Sequence, residues 1–190
     1  MIADRTFPTW VFRSPLRRAM VRPAALLDFC GPTPGETVVD LGAGSGYFLD
    51  ELTRRVGRTG RIYEVDVDAR ALALGQRLLP AGGPSVDFVH ASAASVRELP
   101  SGRADFVLAH GLLCCLVDKA GAMGEIWRVL RPGGRALVTF ETLTPAWTRR
   151  GRALRLTDRR FRALVAEHPW RLTGGPRRRW SKVYRLDRPP

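Results

Sequence analysis

The sequence contains only three cysteines, and their spacing excludes the usual cysteine frameworks. Cys30 stands alone, whereas Cys114 and Cys115 are adjacent. An odd count with two neighbours argues against a set of disulfides, and no CxxC or Cys/His spacing supplies a zinc site. We therefore expect free thiols, a reducing compartment and no bound metal.

Long apolar runs are missing as well. Even the run from Leu112 to Val117 is far too short to cross a bilayer. Residues 1–11 include Asp4, Arg5 and Pro8 and lack the apolar centre of a secretory signal. The sequence therefore predicts a cytoplasmic protein without a membrane partner.

Acidic residues are scarce near the C-terminal end, so positive charge accumulates there. Residues 141–190 hold 14 basic and 4 acidic side chains, whereas residues 1–140 hold 17 and 14. Most of the net charge of +13 therefore lies in the last quarter of the chain. Such an excess attracts anionic substrates or polyanions through its long-range field.

Short strand-like runs alternate with helix-like segments from Val38 onward, which is typical of a parallel sheet covered by helices on both faces. The predicted strands are Val38–Leu41, Arg61–Val65, Val86–His90, Asp105–Ala109 and Ala136–Phe140. The predicted helices between them are Tyr47–Val56, Ala69–Leu79 and Lys119–Leu130. We predict an α/β fold with a doubly wound, mostly parallel sheet.

The two ends of the chain differ from this core. Residues 1–30 suggest a helical cap that is interrupted near Pro23. After residue 140 comes a polar, arginine-rich stretch, then a helix at 158–167 and two strand-like runs that form a C-terminal antiparallel hairpin. The predicted organisation is one domain over residues 1–190, with its core at 34–140 and the arginine-rich helix and hairpin at 141–190.

A glycine-rich turn follows the first predicted strand. Gly42, Gly44 and Gly46 allow a tight turn and a close approach of a ligand to the main chain, and the next helix directs its N-terminus towards that ligand. Asp66, twenty residues after Gly46, ends the second strand, where a carboxylate can accept both hydroxyls of a ribose. Tyr47 replaces the last glycine of GxGxxG, which disfavours a dinucleotide.

These segments carry a family resemblance over residues 34–140. The sequence VVDLGAGSGYF resembles the first motif of class I S-adenosylmethionine-dependent methyltransferases. RIYEVDVDARAL is similar to the second-strand segment of that family, and ADFVLAHGLLCCLVDKAGAMGEIWRVLRPGGRALVTF resembles its fourth strand, helix and fifth strand. The resemblance implies a Rossmann-like, seven-stranded methyltransferase domain that binds S-adenosyl-L-methionine.

The resemblance also implies roles for individual residues. Asp40 would address the ammonium group of the cofactor, Asp66 its ribose and Val67 its adenine. Ser92 stands where the family usually has an aspartate for the adenine amino group, and a hydroxyl accepts that hydrogen bond more weakly. The full implied cofactor set is Asp40, Gly42, Ala43, Gly44, Gly46, Asp66, Val67, Ser92, Ala93 and His110.

Two residues at the ends of predicted strands are candidates for catalysis. His110 follows the fourth strand and Glu141 follows the fifth, and ligands bind at these carboxyl ends in open α/β sheets. Methyl transfer is an in-line displacement, in which a base helps only when the acceptor arrives protonated. Trp10 and Phe12 are candidates for the wall of the acceptor pocket, and Arg13, placed with them, is a candidate to meet the carboxylate of the cofactor.

The absence of one motif after the fourth strand narrows the range of possible methyl acceptors. No Asn/Asp-Pro-Pro-Tyr/Phe motif follows it, so the exocyclic amine of a base is disfavoured as acceptor. We favour methyl transfer to a small molecule, either an anionic substrate or one held by an acidic carrier protein. An RNA methyltransferase that uses the basic end, and a non-methylating relative such as a cyclase, decarboxylase or regulatory binding module, stay open as alternatives.

Overall fold

The computed structural model of the chain describes residues 21–79, 82–142, 149–178 and 181–190. Its strands are β1 Thr37–Leu41, β2 Arg61–Asp66, β3 Ser85–His90, β4 Ala104–His110, β5 Leu130–Glu141, β6 Arg171–Gly174 and β7 Ser181–Asp187. Its helices are α1 Pro23–Phe29, α2 Leu49–Val56, α3 Ala69–Arg77, α4 Lys119–Val129, α5 Arg149–Leu154 and α6 Asp158–Val165. No helix in the described ranges is long and apolar enough to cross a bilayer.

The strands form one seven-stranded sheet in the order β3-β2-β1-β4-β5-β7-β6. Strands β1 to β5 pair in parallel, and β7 pairs antiparallel with both β5 and β6. The fold class predicted from the sequence is therefore confirmed, including the C-terminal antiparallel pair. The chain direction of the crossovers reverses between β1 and β4, which is where open sheets of this kind bind ligands.

The core lies on both faces of the sheet. Along β1, Val38 belongs to a cluster with α1 and α2, whereas its neighbour Val39 belongs to a cluster with α4 and α6. Both valines are 1% exposed or less, because successive strand side chains point to opposite faces and both faces are covered. This double burial explains why the strands read as short apolar runs in the sequence.

The helices begin at residues suited to that position. Asp68 accepts hydrogen bonds from the amides of Arg70 and Ala71 at the start of α3, and Thr157 accepts one from Arg160 at the start of α6. Helix α1 begins at Pro23 itself, since proline fits the first turn of a helix. The predicted interruption near Pro23 is found at Arg22, which separates the helical residue Val21 from the start of α1. The part of the predicted N-terminal cap at 1–20 lies outside the described residues.

The arginine-rich stretch after β5 contains a helix that the sequence analysis did not predict. Helix α5 is stabilised from outside, because the buried Lys119 donates from Nζ to the carbonyl of Ala153 at 3.0 Å. Leu154 and Leu156 are also buried. Tertiary contacts therefore stabilise this helix where the local sequence shows no amphipathic pattern, and the described residues after β5 form two helices where one was predicted.

Candidate functional site

The predicted glycine turn, residues 42–46, connects β1 to α2 at the carboxyl edge of the sheet. Gly42, Gly44 and Gly46 have φ angles of 79°, 58° and 75°, a region that favours glycine. The amides of Gly42 and Ala43 donate to the carbonyl of Val65 at 2.8 and 3.1 Å, which attaches the turn to β2. A Cβ built on Gly44 has nothing within 4 Å, so space for a ligand lies over this residue.

Asp66 ends β2 beside this turn and is held by two backbone amides. Its Oδ2 accepts from Gly44 N at 2.8 Å, and its Oδ1 accepts from Asp68 N at 2.8 Å. A carboxylate offers about four lone pairs, so each oxygen keeps one for a further donor. The side chain is therefore fixed in place with acceptor capacity for two hydroxyl groups.

Asp40 lies at the end of β1 and is 2% exposed. Among the described residues its Oδ2 has no hydrogen-bond partner. Burial, together with the charge of Asp66, raises the pKa of Asp40 to about 8. A buried acceptor without a donor beside the glycine turn is a site for a cationic or hydrogen-bonding group of a ligand.

The residues expected to hold an adenine lie beyond Asp66. Val67 is 52% exposed, which is unusual for a large apolar side chain and leaves a flat surface for a ring. Ser92 follows β3, and its Oγ accepts from the amide of Ala94 at 3.3 Å. Ala93 is buried next to it. His90 Nε2 lies 3.0 Å from the carbonyl of Val67, and because that carbonyl only accepts, Nε2 carries the proton of this bond.

His110 ends β4 and is oriented by Thr139, its neighbour on β5. Its Nδ1 lies 2.8 Å from Oγ1 of Thr139, which also accepts from the amide of Gly111 at 3.1 Å. The imidazole packs on Phe48 at the start of α2, with 4.9 Å between ring centroids. The structure thus places His110 on the same sheet face as Asp40, next to the glycine turn.

Glu141 ends β5 and is exposed. The register pairs His110 with Thr139, so Glu141 lies two residues further along the neighbouring strand.

The thiols of Cys114 and Cys115 both donate to the carbonyl of Gly111, at 3.2 and 3.3 Å. The neighbouring thiol of Cys115 lowers the pKa of Cys114 to about 7, against the opposing effect of burial.

The three residues expected to contact the acceptor or the cofactor carboxylate, Trp10, Phe12 and Arg13, lie outside the described residues. Their assignment therefore stays a prediction. The other predicted site residues all lie at the carboxyl edge of the sheet, and Asp40, Asp66 and His110 share one face of it.

Two residues of the site were not found by the sequence analysis. Thr139 is a polar residue inside the apolar run of β5, and Glu64 is an acid inside the run of β2. Each is an interruption of a strand-like pattern, which is the only signal that the sequence offers. Each residue belongs to the site only through strand pairing, because the register sets Thr139 beside His110 and Glu64 beside Asp40.

The residues present fit S-adenosylmethionine. The open space over Gly44 suits the chain that joins the nucleoside to the amino acid, and the unpartnered oxygen of Asp40 suits an ammonium group. Asp66 has acceptors for two ribose hydroxyls, and Val67 offers an apolar surface for adenine. A metal site is a poorer fit, since no cluster of three candidate ligands occurs in the described ranges.

Comparisons with known proteins agree with this geometry. A family described as "Methyltransferase domain" matches residues 39–138. The ubiquinone/menaquinone biosynthesis C-methyltransferases of Hahella chejuensis and Enterobacter sp. are 37% and 34% identical over 115 and 114 residues. Each match covers 59% of this chain and 45% of the relative, so the chain spans less than half the length of these relatives.

Solved structures share the fold at low sequence identity. A SAM-dependent methyltransferase from Aquifex aeolicus superposes with a TM-score of 0.79 at 17% identity, over 96% of this chain and 99% of that one. An arsenic(III) S-adenosylmethionine methyltransferase from Chlamydomonas reinhardtii gives 0.71 at 21% identity, over 98% and 75%. At these identities the likeness establishes the fold alone.

Proposed function

We propose that this chain transfers the methyl group of S-adenosylmethionine to a carbon atom of a small anionic molecule. The chain belongs to the methyltransferase domain family and has the class I fold of S-adenosylmethionine-dependent methyltransferases. The observation that carries the proposal is the joined pair of Gly44 and Asp66, whose 2.8 Å hydrogen bond fixes a ribose acceptor beside an open main chain. The relatives named as C-methyltransferases support carbon as the reacting atom.

The chain's own residues bind and orient the reactants. S-adenosylmethionine supplies a methyl group on a positive sulfur, which keeps the electron pair of the broken C–S bond while the acceptor forms the new bond. Asp40, Asp66 and Val67 hold the two ends of the cofactor, which aligns the methyl group for in-line attack.

His110 is proposed to make the acceptor nucleophilic. A ring or enol carbon that is conjugated with an ionised hydroxyl attacks far better than the same carbon in the neutral phenol or enol, so the acceptor's hydroxyl proton must leave first. When His110 donates from Nδ1 to Thr139, the neutral ring has its lone pair on Nε2, which takes that proton. Glu141 is proposed to orient the acceptor from the neighbouring strand.

The charge of the C-terminal part supports an anionic acceptor. Arg152 and Arg155 in and after α5, and Arg159 in α6, are exposed. Lys119 attaches α5 to the segment that follows β4, at the carboxyl edge of the sheet where we propose that the acceptor binds. An RNA acceptor is the second candidate, and it predicts binding of bulk RNA that falls 10³- to 10⁵-fold between about 50 and 200 mM salt.

The proposal is tested first on the cofactor. We expect S-adenosylmethionine and S-adenosylhomocysteine to bind in calorimetry, and Asp66→Ala to weaken binding by about 10- to 100-fold, as the loss of hydrogen bonds to a charged group implies. Asp87→Ala is the matched control, because this strand aspartate lies on β3 and pairs with Arg61 at the surface. Equal affinities of wild type and Asp66→Ala would remove the ribose assignment.

The reaction is tested with an acceptor panel of phenols, enols and their carboxylated forms, and release of S-adenosylhomocysteine is the readout. We expect turnover on a carboxylated phenol or enol and a carbon-bound methyl group in the product by NMR. His110→Gln should lower kcat by about 10²- to 10⁴-fold. Steeply salt-dependent RNA binding, with methylated RNA as the product, would instead establish the second candidate.

A further inference from the structure

Two buried carboxyl groups face each other on neighbouring strands beneath the glycine turn. Asp40 on β1 and Glu64 on β2 are register partners, so their side chains lie on the same face of the sheet. They are 2% and 0% exposed. We call Asp40 and Glu64 the carboxyl pair.

Three of the four oxygens of the carboxyl pair have no hydrogen-bond partner in the described part of the chain. Oδ2 of Asp40 and both side-chain oxygens of Glu64 are buried without a hydrogen bond. Burial of unpaired carboxylates is very costly, and such groups take up a proton instead. Two unpaired buried carboxyl groups do not stabilise the fold, so a role at the ligand site above them explains their position better than packing does.

The groups around the carboxyl pair add negative charge. Asp66, two residues after Glu64 on β2, acts on both members, and each titration is affected by acids and by no base among the described residues. Other titratable rings on this face belong to Tyr47 at the start of α2, His110 on β4 and His90 on β3. Burial first, and these charges second, raise the pKa values of both carboxyls, that of Asp40 to about 8.

We propose that Asp40 is protonated in the cofactor-free protein and releases its proton when the ammonium group of S-adenosylmethionine binds, while Glu64 stays neutral throughout. The inference rests on the proposed cofactor. The ammonium group supplies the positive charge that the site lacks, and so it replaces the proton on Asp40. Glu64 acts through Asp40 as a positioning residue, because a neutral neighbour allows Asp40 to ionise where a second carboxylate would oppose it.

Proton release links cofactor affinity to pH. At pH values below the pKa of Asp40, each increase of one pH unit makes the ionised form of Asp40, which binds the cofactor, about tenfold more abundant. The α-amino group of a ligand titrates at about 7.7–8.0, so the cofactor keeps its ammonium charge between pH 6 and 7. Affinity therefore rises by close to tenfold from pH 6 to pH 7.

The experiment is calorimetry of S-adenosylmethionine binding at pH 6.0 and 7.0, each in two buffers of low and high ionisation enthalpy. For the wild type we expect about one proton released per cofactor bound and an approximately tenfold lower Kd at pH 7. Asp40→Asn should bind more weakly, with no release and no pH dependence. Glu64→Gln, which keeps the size and neutrality of a protonated glutamate, should release the same proton and bind within about threefold of wild type.

Each alternative result is decisive. Wild-type binding with equal heats in both buffers would overturn the inference and leave the proposed cofactor intact. Loss of proton release in Glu64→Gln would overturn the neutral state of Glu64. Absence of any cofactor binding would overturn the proposed function together with this inference. An infrared difference spectrum gives an independent readout, in which a protonated carboxyl band is lost on binding in wild type and no such loss occurs in Asp40→Asn, because Glu64 stays protonated in both states.

Discussion

At the scale of single residues, Glu64 and Glu125 lie in opposite electrostatic environments. Glu64 is buried without a partner, and burial raises its pKa. Glu125 in α4 accepts from Arg128 at 2.8 Å and from the amide of Val96 at 2.9 Å, and the bond to Arg128 lowers its pKa. The same side chain therefore opposes folding at one site and favours it at the other when the pH is neutral.

Thermal unfolding as a function of pH tests this contrast. A raised pKa means that the unfolded chain loses its proton first, so Glu64 costs stability as pH rises above about 4.3, by at most about 1.4 kcal/mol per unit. We expect Glu64→Gln to raise the free energy of unfolding at pH 8 and to have little effect at pH 4. Glu125→Gln should lower it at pH 8, with the difference disappearing as pH falls. Parallel behaviour of the two variants would contradict the burial of Glu64.

Thr139 provides a second test at this scale. Its Oγ1 holds both the imidazole of His110 and the amide of Gly111. Thr139→Val keeps the shape and removes the hydroxyl, so His110 loses its orientation while Asp40, Asp66 and the glycine turn, which we propose to hold the cofactor, stay in place. We expect kcat to fall by about tenfold or more with the Kd for S-adenosylhomocysteine unchanged. A weaker Kd with normal kcat would place Thr139 in cofactor binding instead.

At the scale of elements, the glycine turn and helix α4 offer a matched pair of substitutions. A Cβ at Gly44 and one at Gly124 both have nothing within 4 Å. Gly44 has a φ of 58° and lies in the proposed cofactor site, whereas Gly124 is helical. Gly124→Ala should stabilise the protein by about 0.5–1 kcal/mol. Gly44→Ala should destabilise it by about 1 kcal/mol and weaken cofactor binding in calorimetry, because the methyl group occupies the cofactor's space. Unchanged affinity would show that the space over Gly44 is not used.

The elements themselves could largely be predicted from the sequence. Predicted β1 begins at Val38 and the strand at Thr37, and predicted α4 ends one residue beyond Val129. Double burial gives the strands their apolar runs, and α4 has a regular apolar face, so both signals are local. Helix α5 lacked such a signal, because Lys119 and the buried Leu154 stabilise it from outside.

The candidate site could be predicted from the sequence only where its signal is local. The glycine turn and Asp66 are read from a motif and its spacing, and the structure joins them by a hydrogen bond. The carboxyl pair was not predictable, because it exists only once β1 and β2 pair in the register that sets Glu64 against Asp40. Local sequence patterns predict individual helices and strands, whereas the pairing of strands is known only from the folded structure.

At the scale of the whole molecule, cofactor binding should be visible as stability. A ligand that binds only the folded state at 100 times its Kd adds about 2.7 kcal/mol. For a chain of this length that corresponds to a rise in Tm of about 5–11 °C. We expect this shift with S-adenosylhomocysteine in differential scanning fluorimetry and a much smaller one for Asp66→Ala at the same concentration. Equal shifts would mean that binding occurs elsewhere.

The position of β7 has a consequence for synthesis on the ribosome. This strand comes after β6 in the chain, yet it lies between β5 and β6 in the sheet. The backbone edge of β5 therefore stays open while the next several dozen residues are translated, for about 2–9 s at usual elongation rates. An open edge recruits other strands, so a nascent chain stalled before Ser181 is exposed to aggregation and depends on chaperones until translation resumes.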